Sequence, residues 1–309
     1  MRMTPQSQAT AQSQTPASTT VATQRPQGTA EQVDWKAVEQ ALGKSGQLQP
    51  KNVYRIGLPR TDLNVTIAGV PVKATFALGS YAAFRPMDNN VLVMGDLVLL
   101  DSEVNAVMSG LFEGGLAIAA LHNHLLDMTP HVMYLHYSGS GDPVGMAAAL
   151  KKALGARGTP FGTSPPSSEA SGPQLDTKQI EKILRHTGKS TPDGIFQVGV
   201  PRREKITEMG MELPPAMGTA IAINFQPTGD RKAAITGDFV LAQSEANPVA
   251  RALREHGIDV TAVHNHALAD DPRTFYMHYW ANKDAIELAR GLRSALDKTN
   301  TATDPAAGL

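Results

Sequence analysis

Residues 94–105, MGDLVLLDSEVN, recur as TGDFVLAQSEAN at 236–247, 142 positions further on. Working outward, the same offset relates LHNH at 121–124 to VHNH at 263–266, YLHY at 134–137 to YMHY at 276–279, and VYRIGLPR at 53–60 to IFQVGVPR at 195–202. Between 95–137 and 237–279 about 20 of 43 positions are identical without a gap. Only the 62–90 region needs compensating gaps. A repeat of this length is a domain rather than a solenoid unit. The chain therefore divides into a tail at 1–32, a first repeat at 33–155, a linker at 156–174, a second repeat at 175–298 and a short tail at 299–309. The first tail is rich in Gln, Ser, Thr, Ala and Pro, too poor in apolar surface to offset its ordering entropy. The linker is rich in Gly, Pro and Ser.

Within one repeat, Trp35, Val38 and Leu42 have helical spacing over 34–44, with Asp34 as N-cap. Two short strands are expected around Ala68-Gly69, then a strand at 91–100. A helix follows at 102–113, with Ser102 as N-cap and Glu103 in its first turn. Strands at 116–124 and 131–138 and a closing helix at 143–154 complete the repeat. Gly57, Pro59 and Arg60, like Gly199, Pro201 and Arg202, are expected to form a turn with an anchoring ion pair. The order β-β-α-β-β-α after a leading helix predicts an α+β fold: two homologous domains in tandem, each a mainly antiparallel sheet with helices packed on one face. Two domains of one ancestry are expected to pair within the chain about a pseudo-two-fold axis.

Composition excludes several classes of function. Lys and Arg number 28 against 29 Asp and Glu, and no basic cluster stands out. Neither nucleic acid nor an anionic membrane is an expected partner. No apolar run approaches the roughly 18–20 residues that span a bilayer, and the N-terminal stretch lacks the apolar centre of a signal peptide. Cysteine is absent, which removes disulfides, thiolate metal sites and cysteine nucleophiles together.

Histidine carries the remaining signal. Six of the nine histidines occupy three duplicated positions: His122 and His264, His124 and His266, His136 and His278. His131, His186 and His256 have no counterpart. In a strand, His-x-His puts both imidazoles on one face, here continuing an apolar floor of Leu116, Ile118 and Ala120. The third histidine comes from the next strand. A register in which paired numbers sum to 258 (542 in the second copy) puts His122 opposite His136 and His124 opposite Tyr134. An odd sum would send His136 to the other face. Three neutral imidazoles suit a divalent transition metal, zinc above all, with copper, nickel and iron as alternatives. Zinc would bring a bound water to a pKa of about 7 and so favour hydrolysis of a small ester, lactone or amide.

Asp96 and Asp238 are candidates for a further ligand, a hydrogen-bond acceptor behind the ligands or a general base. Glu103 and Glu245 are candidates for the same work, or for the ordinary role of a first-turn carboxylate. Tyr134 and Tyr276 are candidate donors to a substrate oxyanion; Arg60 and Arg202 are candidate carboxylate anchors. Tyr137 and Tyr279 alternate to the opposite, core face. Two non-catalytic readings stand beside the hydrolase: a carrier or small-molecule binder of the cell envelope, and a structural domain pair whose histidines satisfy buried hydrogen bonds. The HNH triplet lies in a strand without basic surroundings, which argues against a nuclease. A cupin is disfavoured because the glutamate expected a few residues after H-x-H is missing.

The combination GD-x-V-L-x-x-SE-x-N, HNH and Y-x-HY resembles the LppY/LpqO family of bacterial proteins of unknown function, over about 34–300 and in both copies. That resemblance implies export, to the periplasm or outside the cell, in at least some members. The chain departs from a lipoprotein in having no cysteine to lipidate, and a cytoplasmic location stays open.

Overall fold

The structure is a computed structural model, and it describes residues 33–87, 90–156 and 174–303. The tail at 1–32 and nearly all of the linker lie outside the described residues. The first repeat runs α1 (Trp35–Leu42), β1 (Gln47–Gln49), β2 (Val53–Pro59), β3 (Thr66–Ile67), β4 (Val70–Pro71), α2 (Ala74–Ala77), β5 (Gly79–Pro86), β6 (Val91–Leu100), α3 (Asp101–Glu113), β7 (Ala117–His122), β8 (Met128–Thr129), β9 (Val132–Gly141) and α4 (Pro143–Leu154). The second repeat follows the same order: α5 (Thr177–Leu184), β10 (Gly188–Ser190), β11 (Phe196–Pro201), β12 (Thr207–Glu208), β13 (Met211–Glu212), β14 (Ala220–Gly229), β15 (Lys232–Ala242), α6 (Gln243–Glu255), β16 (Asp259–His264), β17 (Asp270–Asp271), β18 (Thr274–Asp284) and α7 (Ala285–Leu296). A single 3-10 turn at Pro215–Met217 takes the place of α2.

Each repeat is an antiparallel six-stranded sheet, ordered β1-β2-β5-β6-β9-β7 and β10-β11-β14-β15-β18-β16. The α+β architecture with two homologous domains is as expected. Helices α1, α3 and α4 cover one face of the first sheet and α5, α6 and α7 one face of the second, while the short α2 lies on the other side against β14 and β15. In the first repeat, Val38, Leu42, Val107, Leu111, Leu150 and Leu154 pack on Ile56, Phe84, Leu97 and Leu99 in one fully buried cluster. The expected helix starts hold at α1, where Asp34 Oδ1 accepts from Ala37 N at 3.1 Å, and at its copy, where Asp176 Oδ1 accepts from Gln179 N at 3.0 Å.

Three local expectations need correction. Gly57 and Pro59 lie in a full strand, Val53–Pro59, rather than in a turn, so each sheet has a further strand there, while the expected ion pair of Arg60 forms. The cap of α3 is not Ser102: Leu100 is the capping position and its N–H donates to Glu103 Oε2 at 2.8 Å. A carboxylate three residues in reaches back to satisfy the N–H of the capping residue. The apolar floor also breaks. Ile118 pairs with Tyr137 but Ala120 with His136, so a bulge at Ala119 intervenes. Adding one residue reverses the alternation, and Leu116 and Ile118 join the helix-side core around Tyr137.

The duplicated Gly-Asp and His-Tyr pairs are explained by one register. Gly95 pairs with Tyr137 and Asp96 with His136; Gly237 pairs with Tyr279 and Asp238 with His278. On the helix face the tyrosine lies across the glycine and its hydroxyl donates to the strand beyond, Tyr137 to Tyr81 O and Tyr279 to Ala222 O, each at 3.3 Å. A Cβ on Gly95 would lie 2.2 Å from Tyr81 O, and one on Gly237 1.8 Å from Ala222 O. On the other face, the same register sets aspartate against histidine. Because both close contacts are with backbone, Gly95→Ala should lose about 1–3 kcal/mol or more in urea denaturation; an unchanged midpoint would contradict this packing.

Candidate metal centre

The faces of the two sheets opposite the long helices meet, and the six duplicated histidines lie between them. The contacts are reciprocal. His122 stacks on its own counterpart His264, ring centroids 3.5 Å apart. His124 stacks on His278 at 3.6 Å and His136 against His266 at 3.9 Å, two contacts that the duplication exchanges. Such exchange is what a two-fold relation between the copies requires. Asn265 Nδ2 donates to Ala119 O at 3.0 Å and Thr261 Oγ1 to His124 O at 2.6 Å, tying the edge strands across the interface.

Strands β7 and β16 end at His122 and His264, so His124 and His266 begin the following loops. The small sheets β4-β3-β8 and β13-β12-β17 hold those loops in place. His122 pairs with Tyr134 and Ala120 with His136, a sum of 256 rather than the expected 258; in the second copy His264 pairs with Tyr276 and Ala262 with His278, 540 rather than 542. The parity is even past each bulge, so all three histidines of each copy share one face.

The ring nitrogens are committed on one side and unpartnered on the other. Nδ1 of His122, His264 and His278 faces the carbonyl of Asn123 at 3.3 Å, Asn265 at 3.0 Å and Gly237 at 2.9 Å; His136 is held likewise by Gly95. A carbonyl only accepts, so these Nδ1 atoms carry hydrogen and direct Nε2 inward. Nε2 of His122, His124, His136 and His266 and one carboxylate oxygen of Asp96 are buried without a hydrogen-bond partner. His264 Nε2 and His278 Nε2 face each other at 2.7 Å. Two lone pairs do not approach so closely unless a proton or a metal ion lies between them.

Three groups of these residues bring ligand atoms within 4.8 Å of one another: Asp96, His124 and His136; Asp238, His264, His266 and His278; and His122, His124, His264 and His278. These groups could hold a metal ion. Asp96 Oδ2 lies 3.9 Å from His124 Nε2. Asp238 lies 4.0 Å from His266 and 2.9 Å from His278. All are under the roughly 4.2 Å that two ligands 2.1 Å from a common ion can span. None of His131, His186 and His256 enters a group; His131 is exposed and pairs with Asp101 at 2.8 Å.

Burial decides the protonation states. Burial and, less strongly, neighbouring imidazoles hold His122 at about 4 and His264 at about 3, and hold His124, His136 and His266 well below the usual histidine range. Burial and then the facing charge of Asp238 push Asp96 well above the usual carboxylate range. Burial pushes Asp238 up as well, but His278 outweighs it and holds Asp238 low. The metal-binding form of these imidazoles, with Nε2 unprotonated, is thus the favoured one.

The remaining candidates lie elsewhere or are otherwise engaged. Arg60 is buried and pairs with Glu103 at 2.6 Å, with Asp62 at 2.8 Å and with Val98 O at 3.0 Å. Arg202 repeats this with Glu245 at 2.5 Å, Glu204 at 2.8 Å and Val240 O at 2.8 Å. These arginines and glutamates neutralise one another, and the glutamates complete the starts of α3 and α6. Residues 299–303 of the expected tail dock beside the second pair, where Asn300 N donates to Glu245 Oε1 at 2.7 Å. Tyr134 stacks on His124 at 3.3 Å and Tyr276 on His266 at 3.4 Å, but the Tyr134 hydroxyl donates to Ala77 O at 2.7 Å and is not free for an oxyanion.

A cavity of about 290 Å³ adjoins the cluster, lined by His124, His278, Asp96 and Asp238 together with Arg55, Gln197 and Asn224. The last three of these carry no repeated motif; Arg55 and Gln197 stand out in sequence only as the charge-changing difference in an octapeptide whose other differences exchange like for like.

Residues 36–156 and 178–298 each match the family described as Domain of Unknown Function (DUF1259). The chain belongs to that family. No curated protein matches it. Among solved structures, the two DUF1259 domains together are similar to a trimeric bacterial microcompartment shell protein, PduB, at 9% identity over 84% of this chain and 97% of that one, with a TM-score of 0.23. EtuB from Clostridium kluyveri matches at 7% identity over 82% and 90%, with a TM-score of 0.20. Likenesses this slight carry no argument. Among the described residues, no helix of the DUF1259 domains is long and apolar enough to cross a membrane.

Two outcomes follow for the DUF1259 pair. Glu103→Ala, which removes one of Arg60's two carboxylate partners, should cost about 1–3 kcal/mol in urea denaturation without altering metal content. Histidines with depressed folded pKa values stabilise the fold above the unfolded value of about 6.5. That contribution is lost as pH falls toward about 4 and 3, where His122 and His264 protonate. The denaturation midpoint of metal-free protein should fall on acidification from pH 7 to 4; a flat profile would contradict the buried neutral imidazoles.

Proposed function

We propose that this is a metal-binding protein whose two domains jointly bury a pair of divalent transition metal ions, zinc being the best match. The observation that carries this is the set of unpartnered inward nitrogens and carboxylate oxygens, with His264 and His278 opposed at 2.7 Å. An unsatisfied buried polar atom costs about 1–3 kcal/mol, and several together approach the whole stability of a domain. That argues against purely structural histidines, which would be expected to satisfy one another.

Two ions are supported because Asp96, His124 and His136 share no residue with Asp238, His264, His266 and His278. The duplication maps the first set onto the second, with His264 added. Histidine and carboxylate with coordination positions left over suit zinc or iron. The mixed four-histidine set borrows from both and can be filled only in their place.

The adjoining cavity favours an enzyme over a carrier. A zinc ion there would supply Lewis-acid polarisation of a carbonyl, which fits hydrolysis of a small ester, lactone or amide.

Protein purified without a histidine tag, loaded with zinc and desalted, should carry close to two zinc ions per chain by elemental analysis. His124→Ala and His266→Ala should each lose about one. Near-zero content after loading with zinc, copper and nickel would overturn the metal reading. One ion per chain, abolished by His122→Ala, would replace the pair by the four-histidine set. Ester and lactone hydrolysis should fall in His124→Ala; equal rates in wild type would remove the catalytic part alone.

A further inference from the structure

The duplication gives the site two equivalent ends, and the two ends differ. Tyr81 pairs with Asp96 in the first sheet, and Ala222 pairs with Asp238 in the second. Arg55 lies two residues before Gly57, the partner of Tyr81; Gln197 lies two before Gly199, the partner of Ala222. The first copy thus presents an arginine and a tyrosine where the second presents a glutamine and an alanine.

At the first end those side chains fill the space. The Arg55 guanidinium lies 3.5 Å over the Tyr81 ring, and its Nη1 donates to Ala216 O at 2.7 Å. The turn at Pro215–Met217 closes over them, with Gly218 so near that a Cβ would lie 2.8 Å from the Tyr81 hydroxyl. Over the second sheet the shorter side chains leave a cavity between β11, β14 and α2, with Arg55 and Tyr81 forming its wall on the side of the first end. At about 30 Å³ per water, its volume accommodates roughly ten water molecules, or a solute of comparable size.

Arg55 lines that cavity and is held rigidly by its ring and carbonyl contacts. Among the described residues it is in no ion pair of 4.0 Å or less, whereas Arg60 and Arg202 each have two carboxylate partners. The amide of Gln197, donating to Asn224 Oδ1 at 3.0 Å and to Thr75 O at 3.2 Å, forms the polar rim. A fixed guanidinium with donors to spare, facing a small polar cavity, is a receptor for a planar oxyanion.

We propose that the open end binds a small molecule bearing a carboxylate, with that carboxylate on Arg55 and the remainder reaching toward His124 and His278. This rests on the metal-centre reading for what the far end meets, but the Arg55 contact needs no metal. The first copy supplies the charge and the second supplies the room, so one ligand is taken per chain.

The test is calorimetric titration of the full chain, metal-free and zinc-loaded, with malonate and with neutral malonamide, zinc content being measured in parallel. Malonate should bind one per chain and malonamide at least about tenfold more weakly, a charged hydrogen-bonded contact contributing about 1.5–3 kcal/mol. Arg55→Gln, which gives the first copy the residue of the second, should weaken malonate about tenfold with zinc content unchanged. Ala222→Tyr, which gives the second copy the residue of the first, should abolish binding of both with zinc content and melting temperature retained. Equal malonate affinity in wild type and Arg55→Gln, equal affinity for malonamide, or no malonate binding to zinc-loaded chain would each overturn the proposal. Should the chain take up no zinc, the metal reading falls by itself, and Arg55-dependent malonate binding to the metal-free chain still decides this one.

Discussion

The constraint on which the molecule depends is the burial of six imidazoles and two carboxylates between two sheets. Taking polar groups out of water is costly unless each finds a partner. Here partners exist on one side only: backbone carbonyls take the outward nitrogens, while the inward ones face each other across the domain interface. Much of the local architecture serves that arrangement. The Gly-Asp register sets a carboxylate against a histidine in each copy, the small sheets fix the loops carrying His124 and His266, and the Arg-Glu pairs anchor helix starts on the opposite side.

Duplication explains both the symmetry and its breaking. Two related sheets bring their equivalent residues to a common axis, so three histidines per copy become a cluster of six without any new sequence. Off the axis each substitution counts once. Asp96 and Asp238 face different surroundings and are driven apart in acidity. Tyr81 and Ala222 occupy equivalent positions, and one fills space that the other leaves open. A symmetric histidine cluster with a one-sided entrance follows from small changes at a few positions.

The legible parts of the site were those that the repeat displays twice. His122, His124, His136 and Asp96 stood out because their copies match, and strand periodicity placed the histidines of each copy on one face. The bulge at Ala119 was not legible, because one extra residue in a strand leaves no compositional mark; it sent Leu116 and Ile118 to the helix side. Glu103 also looked like a site residue for a sound reason, its retention in both copies, but what both copies retain there is a buried ion pair with Arg60. Arg55 and Gln197 were not legible, because the copies differ there and identity between repeats marks only what both retain.

The sequence by itself determined the duplication, the α+β class, the absence of thiolate chemistry and the histidines and aspartates that matter, since these follow from identity, period and composition. Only the tertiary structure decided that the two triads form one shared cluster, that the glutamates and arginines belong to the scaffold, and that one end of the site is open. The reason is physical: periodicity places a side chain on a face of its own sheet, but what that face meets is set by how two domains pack, and no local pattern records it.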